Sequence, residues 1–266
     1  MRILFVGDVV GLPGRRVLRS GLAALRGKLR PDLVVANGEN SAGGNGLTPT
    51  TADELFRSGC DVVTTGNHVW DRREIAPYLA AHERLLRPAN YPVGVPGRGA
   101  VVVTALDGTP VLVANLMGRV YMPAVDDPFR AADALIEDLA GRARVRLIDF
   151  HAEATSEKIA FCWYVDGRVS AVVGTHTHVA TADERVLPGG TACITDVGMT
   201  GPHDSVIGVE KAEVLERFLT QRPVRFSTAR DDARIQAVLI EVSPSDGRAS
   251  SIRRVQFREG DRDEVR

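Results

Sequence analysis

The sequence predicts an α/β fold in which two packed, mixed β-sheets are flanked by helices. Apolar runs alternate with amphipathic helical segments over the first 80 residues, and this alternation is typical of parallel strands joined by crossover helices. Later in the chain, Asp-Gly pairs at 107–108 and 246–247 each separate two apolar runs, which indicates antiparallel hairpins. We find no internal repeat and no low-complexity linker. We therefore expect one domain over residues 1–266.

The first third of the chain is predicted to run strand, helix, strand, helix, strand, helix. Leucines spaced four, three and four residues apart place one apolar face on the first helix, and Asp71 is a plausible N-cap for the third. The predicted strands cover residues 2–7, 33–36 and 62–65, and the predicted helices cover 15–29, 49–58 and 71–81.

The remainder adds antiparallel strands to the same pattern. An irregular stretch at 87–99, rich in proline and glycine, precedes it, and a long loop is expected at 195–208. The charged tail, 259–266, is expected to fray. The predicted strands are 100–105, 111–115, 145–150, 171–174, 190–194, 236–243 and 249–256, and the predicted helices are 128–141, 155–165 and 210–219.

Composition excludes several classes of function. The chain has 33 Lys and Arg against 34 Asp and Glu, whereas a protein that binds long nucleic acids is usually clearly basic. No apolar run approaches the roughly 20 residues that span a bilayer, and no secretory signal precedes the first strand. We expect a cytoplasmic protein with no membrane partner and with three buried free thiols, Cys60, Cys162 and Cys193. Apolar segments of the irregular stretch could support a homo-oligomer.

Polar side chains follow five predicted strands, each at the end where the strand finishes. Taken alone, each has an ordinary explanation as a helix cap, a turn residue, a core histidine or a solvated loop histidine. Their shared position at successive strand ends instead indicates one binuclear metal site. The residues are Asp8, Glu39, Asn40, Asn67, His68, His151, His176 and His178.

The donor atoms of this set suit particular metals. All are oxygens or imidazole nitrogens and none is a thiolate, which favours manganese, iron or zinc over a soft-metal site. The Glu39 carboxylate is the natural bridge, because its two oxygens can reach two ions roughly 3.5–4 Å apart. Two such ions would activate a shared water and hold phosphoryl oxygens for in-line attack.

The motifs also resemble a known family. The order Asp8, Gly38-Glu39-Asn40, Gly66-Asn67-His68, His151 and Gly174-Thr175-His176-Thr177-His178 resembles the calcineurin-like metallophosphoesterases. The runs Asp149–Lys158 and Thr195–Pro202 resemble its bacterial YmdB-like branch. The resemblance covers essentially the whole chain. It implies a metallophosphoesterase-like sandwich of two mixed β-sheets and a 2′,3′-cyclic-nucleotide 2′-phosphodiesterase that acts on a small phosphoester.

The resemblance also implies a role for each site residue. It assigns Asp8, Glu39, Asn40 and His178 to one ion, and Glu39, Asn67, His151 and His176 to the other. His68 would then be the general acid that protonates the leaving oxygen. Iron is the metal it favours, with manganese or zinc as alternatives.

Two positions depart from the broad superfamily pattern. Asp8-Val9-Val10 stands where Asp-x-His is usual, and Glu39 stands where the bridge is usually Asp. The branch resemblance implies that Asn40 fills the place of the missing imidazole.

Two other functions stay open at this point. The same ligands could serve a phosphomonoesterase or a general phosphodiesterase. They could also belong to a regulatory protein that senses a nucleotide and turns it over only incidentally.

Overall fold

The structure, a computed structural model, describes residues 1–139 and 141–258. The predicted fraying of the tail at 259–266 lies outside these residues. The strands are β1 (Arg2–Val6), β2 (Asp8–Val9), β3 (Leu33–Asn37), β4 (Val62–Thr64), β5 (Ala100–Thr104), β6 (Pro110–Met117), β7 (Val145–His151), β8 (Ala171–Thr175), β9 (Arg185–Val186), β10 (Ala192–Ile194), β11 (Met199–Pro202), β12 (Ala233–Val242) and β13 (Ala249–Arg258). The helices are α1 (Gly11–Leu29), α2 (Pro49–Arg57), α3 (Ile75–Ala81), α4 (Pro128–Asp138), α5 (Thr155–Tyr164) and α6 (Lys211–Thr220).

Both sheets are mixed. The first runs β2-β11-β12-β1-β3-β4, with β13 also paired to β12, and its β1, β3 and β4 are parallel. The second runs β5-β6-β7-β8-β10-β9, and its β6, β7, β8 and β10 are parallel. The two predicted hairpins, β5–β6 and β12–β13, are antiparallel as expected.

Alternation along the strands separates the apolar side chains into layers. On β1, Leu4 and Val6 pack in the cluster that contains the leucines of α1, whereas Ile3 and Phe5 pack in the cluster between the two sheets. A third cluster covers the outer face of the second sheet, where Phe161 of α5 stacks on Phe150 of β7 with ring centroids 4.2 Å apart. The result is a helix–sheet–sheet–helix sandwich, and the predicted fold class is confirmed. That the chain forms one domain stays a prediction.

Three local predictions were wrong, for identifiable reasons. Helix α1 begins at Gly11 rather than at residue 15, because the glycine at φ +58° lets the chain turn into the helix early. Helix α3 begins at Ile75, and Asp71 does not cap it. The predicted loop at 195–208 contains β11, which pairs with β2 where the Gly7 and Gly198 backbones approach so closely that no Cβ would fit. Pairing between distant short segments leaves no periodic signal in the sequence.

In the described ranges, no helix has both the length and the apolar character that crossing a bilayer requires.

Candidate metal centre

The carboxyl ends of the parallel strands in both sheets meet at one edge of the sandwich. Glu39 follows β3 and Asn67 follows β4 in the first sheet, while His151 ends β7 and His176 follows β8 in the second. His151 Nε2 lies 3.1 Å from Glu39 Oε1 and 2.9 Å from Asn67 Oδ1. Residues from distant parts of the chain are thus brought within hydrogen-bonding distance, because β7 and β3 belong to sheets that pack face to face.

One group of donors converges closely enough to hold a cation. Ligand atoms of Glu39, His151 and His176 all lie within 4.8 Å of one another. His176 Nδ1 is 3.1 Å from His151 Nε2, so two imidazole nitrogens and a carboxylate face the same small volume. Such a set matches the oxygen and imidazole donors of transition-metal sites.

A second group adjoins the first through Glu39. Asn40 Nδ2 lies 3.2 Å from Glu39 Oε1 and 3.0 Å from His178 Nε2. The Nδ1–H of His178 donates to the Ile207 carbonyl at 2.9 Å, which leaves the lone pair on Nε2, on the side of the site. Asp8 closes this group, since its Oδ2 accepts a hydrogen bond from the His176 backbone N–H at 3.3 Å.

Two buried oxygen atoms at this centre support the presence of a metal site. Asp8 Oδ1 and Asn40 Oδ1 are both buried, and neither has a hydrogen-bond partner in the described part of the chain. A buried carboxylate oxygen without a partner is costly, and its burial raises the pKa of Asp8. A cation between these atoms and the histidines would satisfy both oxygens, so the residues present fit a metal centre.

The pKa values of the residues at the centre also favour a bound cation. Burial alone would raise the pKa of Glu39, but the His151 imidazole and the His68 N–H outweigh it and hold that pKa at about 2. Burial lowers the pKa of His151, yet Glu39 and Asp8 raise it to about 9. Burial and the nearby His151 lower the pKa of His176 to about 3. A charged carboxylate and a neutral imidazole are the forms that bind metals. The raised pKa of His151 shows that the carboxylates of Glu39 and Asp8 favour a positive charge at this position, which a metal cation would also supply.

The backbone around the histidines is unusual. His176 and His178 adopt φ values of +104° and +66°, a region that side chains other than glycine seldom occupy. Strain of this kind persists where the surroundings force it, and it clusters at functional sites. At Gly66 the constraint is space and not the φ angle. A Cβ there would overlap the His151 ring and a Glu39 carboxylate oxygen, so only glycine lets the two sheets pack this closely at the centre.

Sequence reasoning missed the buried network that orients His151. Its Nδ1–H donates to Thr175 Oγ1 at 2.9 Å, and the Thr175 hydroxyl donates to Asp149 Oδ1 at 2.7 Å. The other oxygen of Asp149 accepts from Thr64 and from Asn37. These contacts leave Nε2 of His151 facing the centre. Asp149 lies two residues before His151, on the same face of β7, and that spacing was the signal that could have revealed it.

A buried ion pair supports the histidine loop. Lys158 Nζ lies 2.9 Å from Asp196 Oδ2, and the same oxygen accepts hydrogen bonds from the backbone N–H and hydroxyl of Thr177. Thr177 stands between the two histidines, so this pair positions the loop that carries them. Lys158 and Asp196 lie in the two sequence runs that resemble the YmdB-like branch. The sequence alone did not show that they form an ion pair.

A cavity of about 330 Å³ opens over the centre. His68 lines it with a partly exposed side chain, and Nδ1 of His68 lies 2.8 Å from Asp71 Oδ2, so Nε2 is the nitrogen available to a ligand. Glu153, which sequence reasoning also missed, lines the cavity with its Oε2 2.9 Å from His176 Nε2. The structure thus brings all eight predicted site residues to this edge, while the role of each one stays a prediction.

A two-sheet α/β sandwich with this donor set at the strand ends has the architecture of a metallophosphoesterase. The model of the YmdB-like protein family matches residues 4–255. The chain belongs to the YmdB-like family, as its motifs led us to expect.

Similar proteins cover nearly the whole chain. The 2′,3′-cyclic-nucleotide 2′-phosphodiesterase of Bacillus subtilis strain 168 is 49% identical over 255 residues, which are 96% of each chain. A crystal structure of a hypothetical protein from Thermus thermophilus has a TM-score of 0.91 and 46% identity, over 97% of this chain and 100% of that one. A crystal structure described as a novel phosphatase, from Mycoplasma pneumoniae, has a TM-score of 0.91 and 34% identity, over 97% and 94%.

Proposed function

We propose that this chain is a metal-dependent phosphoric diester hydrolase that opens 2′,3′-cyclic nucleotides at the 2′ oxygen and leaves the 3′-monoester. The similar Bacillus protein, with its named activity, supports this class of enzyme. The observation that carries the proposal is the convergence of Glu39, His151 and His176 beneath an open cavity.

In this proposal the donors would hold two ions that share the Glu39 carboxylate. Asp8, Asn40 and His178 would complete the binding of one ion, and Asn67, His151 and His176 would complete that of the other. Bound ions supply Lewis-acid activation of the phosphoryl group and of a water nucleophile. The oxygen and imidazole donors suit iron, manganese or zinc. Among these we favour iron, because the resemblance to the YmdB-like branch implies it.

His68 serves as the general acid. Its Nδ1 lies 2.8 Å from the Asp71 carboxylate, which orients the ring and leaves Nε2 toward the cavity. Proton donation from Nε2 to the departing 2′ oxygen would stabilise a poor alkoxide leaving group. The His68 backbone N–H donates to Glu39 Oε2 at 3.0 Å, so the acid and the bridge are held in one geometry.

The deciding experiment is a substrate panel on protein purified with its native metals. We expect 2′,3′-cyclic nucleotides to be hydrolysed to 3′-monophosphates, with two metal ions per chain by elemental analysis. Full activity with one ion or none would contradict the binuclear proposal.

A second candidate is a phosphomonoesterase with the same centre, because the similar Mycoplasma pneumoniae structure is described as a phosphatase. Rapid hydrolysis of monoesters, together with intact 2′,3′-cyclic nucleotides, would favour this second function.

A further inference from the structure

One wall of the cavity is built from two short segments, residues 207–209 and 226–228, which contribute the apolar side chains of Ile207, Val209 and Phe226. A β-bridge between Val209 and Thr228 joins the segments, and the Ala229 N–H donates to the Gly208 carbonyl at 2.9 Å. The Ile207 carbonyl in turn accepts the hydrogen bond from His178 Nδ1. The wall is therefore tied directly to a proposed metal ligand.

Two apolar side chains in this wall are half exposed at the cavity. Ile207 is 51% exposed and Phe226 is 50% exposed, although both lie beside a polar centre. Ile207 also adopts φ +47°, which is a clear outlier for a β-branched residue. Conformational strain that presents an apolar side chain to solvent at the mouth of a site suggests a ligand contact.

The backbone next to Phe226 is held in place. The Ser227 N–H donates to Glu213 Oε2 at 2.6 Å, and the Ser227 hydroxyl donates to the other oxygen of the same carboxylate, on α6. On the facing side, Gly44 has φ +99° and an added Cβ would lie 3.0 Å from Thr228 Oγ1, so the glycine loop lies close to this wall. Phe226 is thus presented from a fixed backbone, as a binding platform needs.

We infer that this wall binds the nucleobase of the substrate, with the base stacked on the Phe226 ring and against Ile207. The inference rests on the proposed function, since it places the cyclic phosphate over the metal donors and the base against the wall that adjoins His178. An aromatic face accepts every base, because each base has a π-face, and the apolar side chains of Ile207, Val209 and Phe226 offer no hydrogen-bonding code. The enzyme should therefore accept all four bases, and the larger purine rings should bind more tightly than pyrimidines.

The test compares Phe226→Ala with Phe226→Trp on the four 2′,3′-cyclic nucleotides and on glycerol 1,2-cyclic phosphate, which has no base. Stacking contributes about 5- to 150-fold per base, so Phe226→Ala should raise KM for the nucleotides by a factor in that range with kcat little changed. The KM change should be far smaller for glycerol 1,2-cyclic phosphate. Phe226→Trp should keep the KM for nucleotides near that of the wild type.

Phe218→Ala is the matched control, because Phe218 is 72% exposed on α6 and does not line the cavity. An unchanged KM for nucleotides in Phe226→Ala, or an equal loss on both kinds of substrate, would overturn the inference. A similar KM increase in Phe218→Ala would also overturn it and would show that any apolar truncation on this face has the same effect. Wild-type enzyme that carries metal but hydrolyses none of the cyclic nucleotides would instead refute the proposed function.

Discussion

The floor and the wall of the cavity are built in opposite ways. The floor is the buried layer of donors beneath the cavity, of which Glu39 lines the cavity itself. Its residues Asp8, Glu39 and His151 have no exposed surface and lie at or near strand ends, where buried hydrogen bonds hold them. The wall residues Ile207 and Phe226 are half exposed and lie on short connecting segments. Strand ends in two packed sheets can hold donor atoms within tenths of an ångström, whereas loops present a surface that can vary without disturbing the centre. Under our proposals, this division would place the chemistry in the floor and the recognition of substrate in the wall.

The largest effect on activity should come from a substitution that adds a side-chain atom beside the buried donors of the floor. In Gly66→Ala the new methyl group would overlap the His151 ring and displace it from Glu39. We expect loss of bound metal and a fall in kcat/KM of roughly 10⁴-fold or more, since the ions supply most of the charge stabilisation. Metal content by elemental analysis and steady-state kinetics provide the measurement.

Gly27→Ala is the control for that variant, because Gly27 lies within α1 and an added Cβ would meet nothing within 4 Å. It should raise the free energy of unfolding by about 0.5–1 kcal/mol and leave metal content and activity unchanged. If Gly66→Ala retained both ions and full activity, the close packing of the two sheets at the centre would not be needed for function.

The next effect concerns His68, which lines the cavity and whose backbone N–H donates to Glu39. His68→Ala should lower kcat by about 10²- to 10⁴-fold, because a positioned acid no longer protonates the leaving oxygen. The fold and both ions should be retained. With a nitrophenyl ester the loss should be much smaller, since nitrophenolate departs without a proton; rates on both substrates and metal analysis provide the check. Equal losses on both substrates, or depletion of metal, would instead make His68 a ligand or a structural residue.

The smallest effect should come from Glu153, which lines the cavity and pairs with His176. Its carboxylate contacts Nε2 of His176, the nitrogen turned away from His151. A partner of this kind orients a metal-binding imidazole, and its removal typically costs about 10- to 100-fold in metal affinity. Glu153→Gln should therefore weaken metal binding by about that factor in a competition titration with a chelator, and Glu153→Asp should recover part of it. If the metal affinity of Glu153→Gln were identical to that of the wild type, Glu153 would not orient His176 for metal binding.

Most of the fold could be predicted from the sequence, because periodic apolar residues report local structure and buried faces. The strands that begin at Leu33, Val145 and Ala171 and the leucine face of α1 are examples. The early start of α1 and the pairing of β2 with β11 could not be predicted, since both depend on close backbone contacts between distant segments.

The sequence by itself determined the family, the fold class and the chemical nature of the donors at the strand ends, because residue type and spacing carry that information locally. Only the tertiary structure decided which atoms face one another. It brought His151 of one sheet to 3.1 Å from Glu39 of the other and placed Asp71 beside His68 instead of at a helix cap. It also left Asp8 Oδ1 buried with no hydrogen-bond partner among the described residues. It also placed Ile207 and Phe226 in the lining of the same cavity as the donors Glu39, His176 and His178. Such contacts arise when two sheets pack and loops close over them, and no local pattern encodes the distances that result.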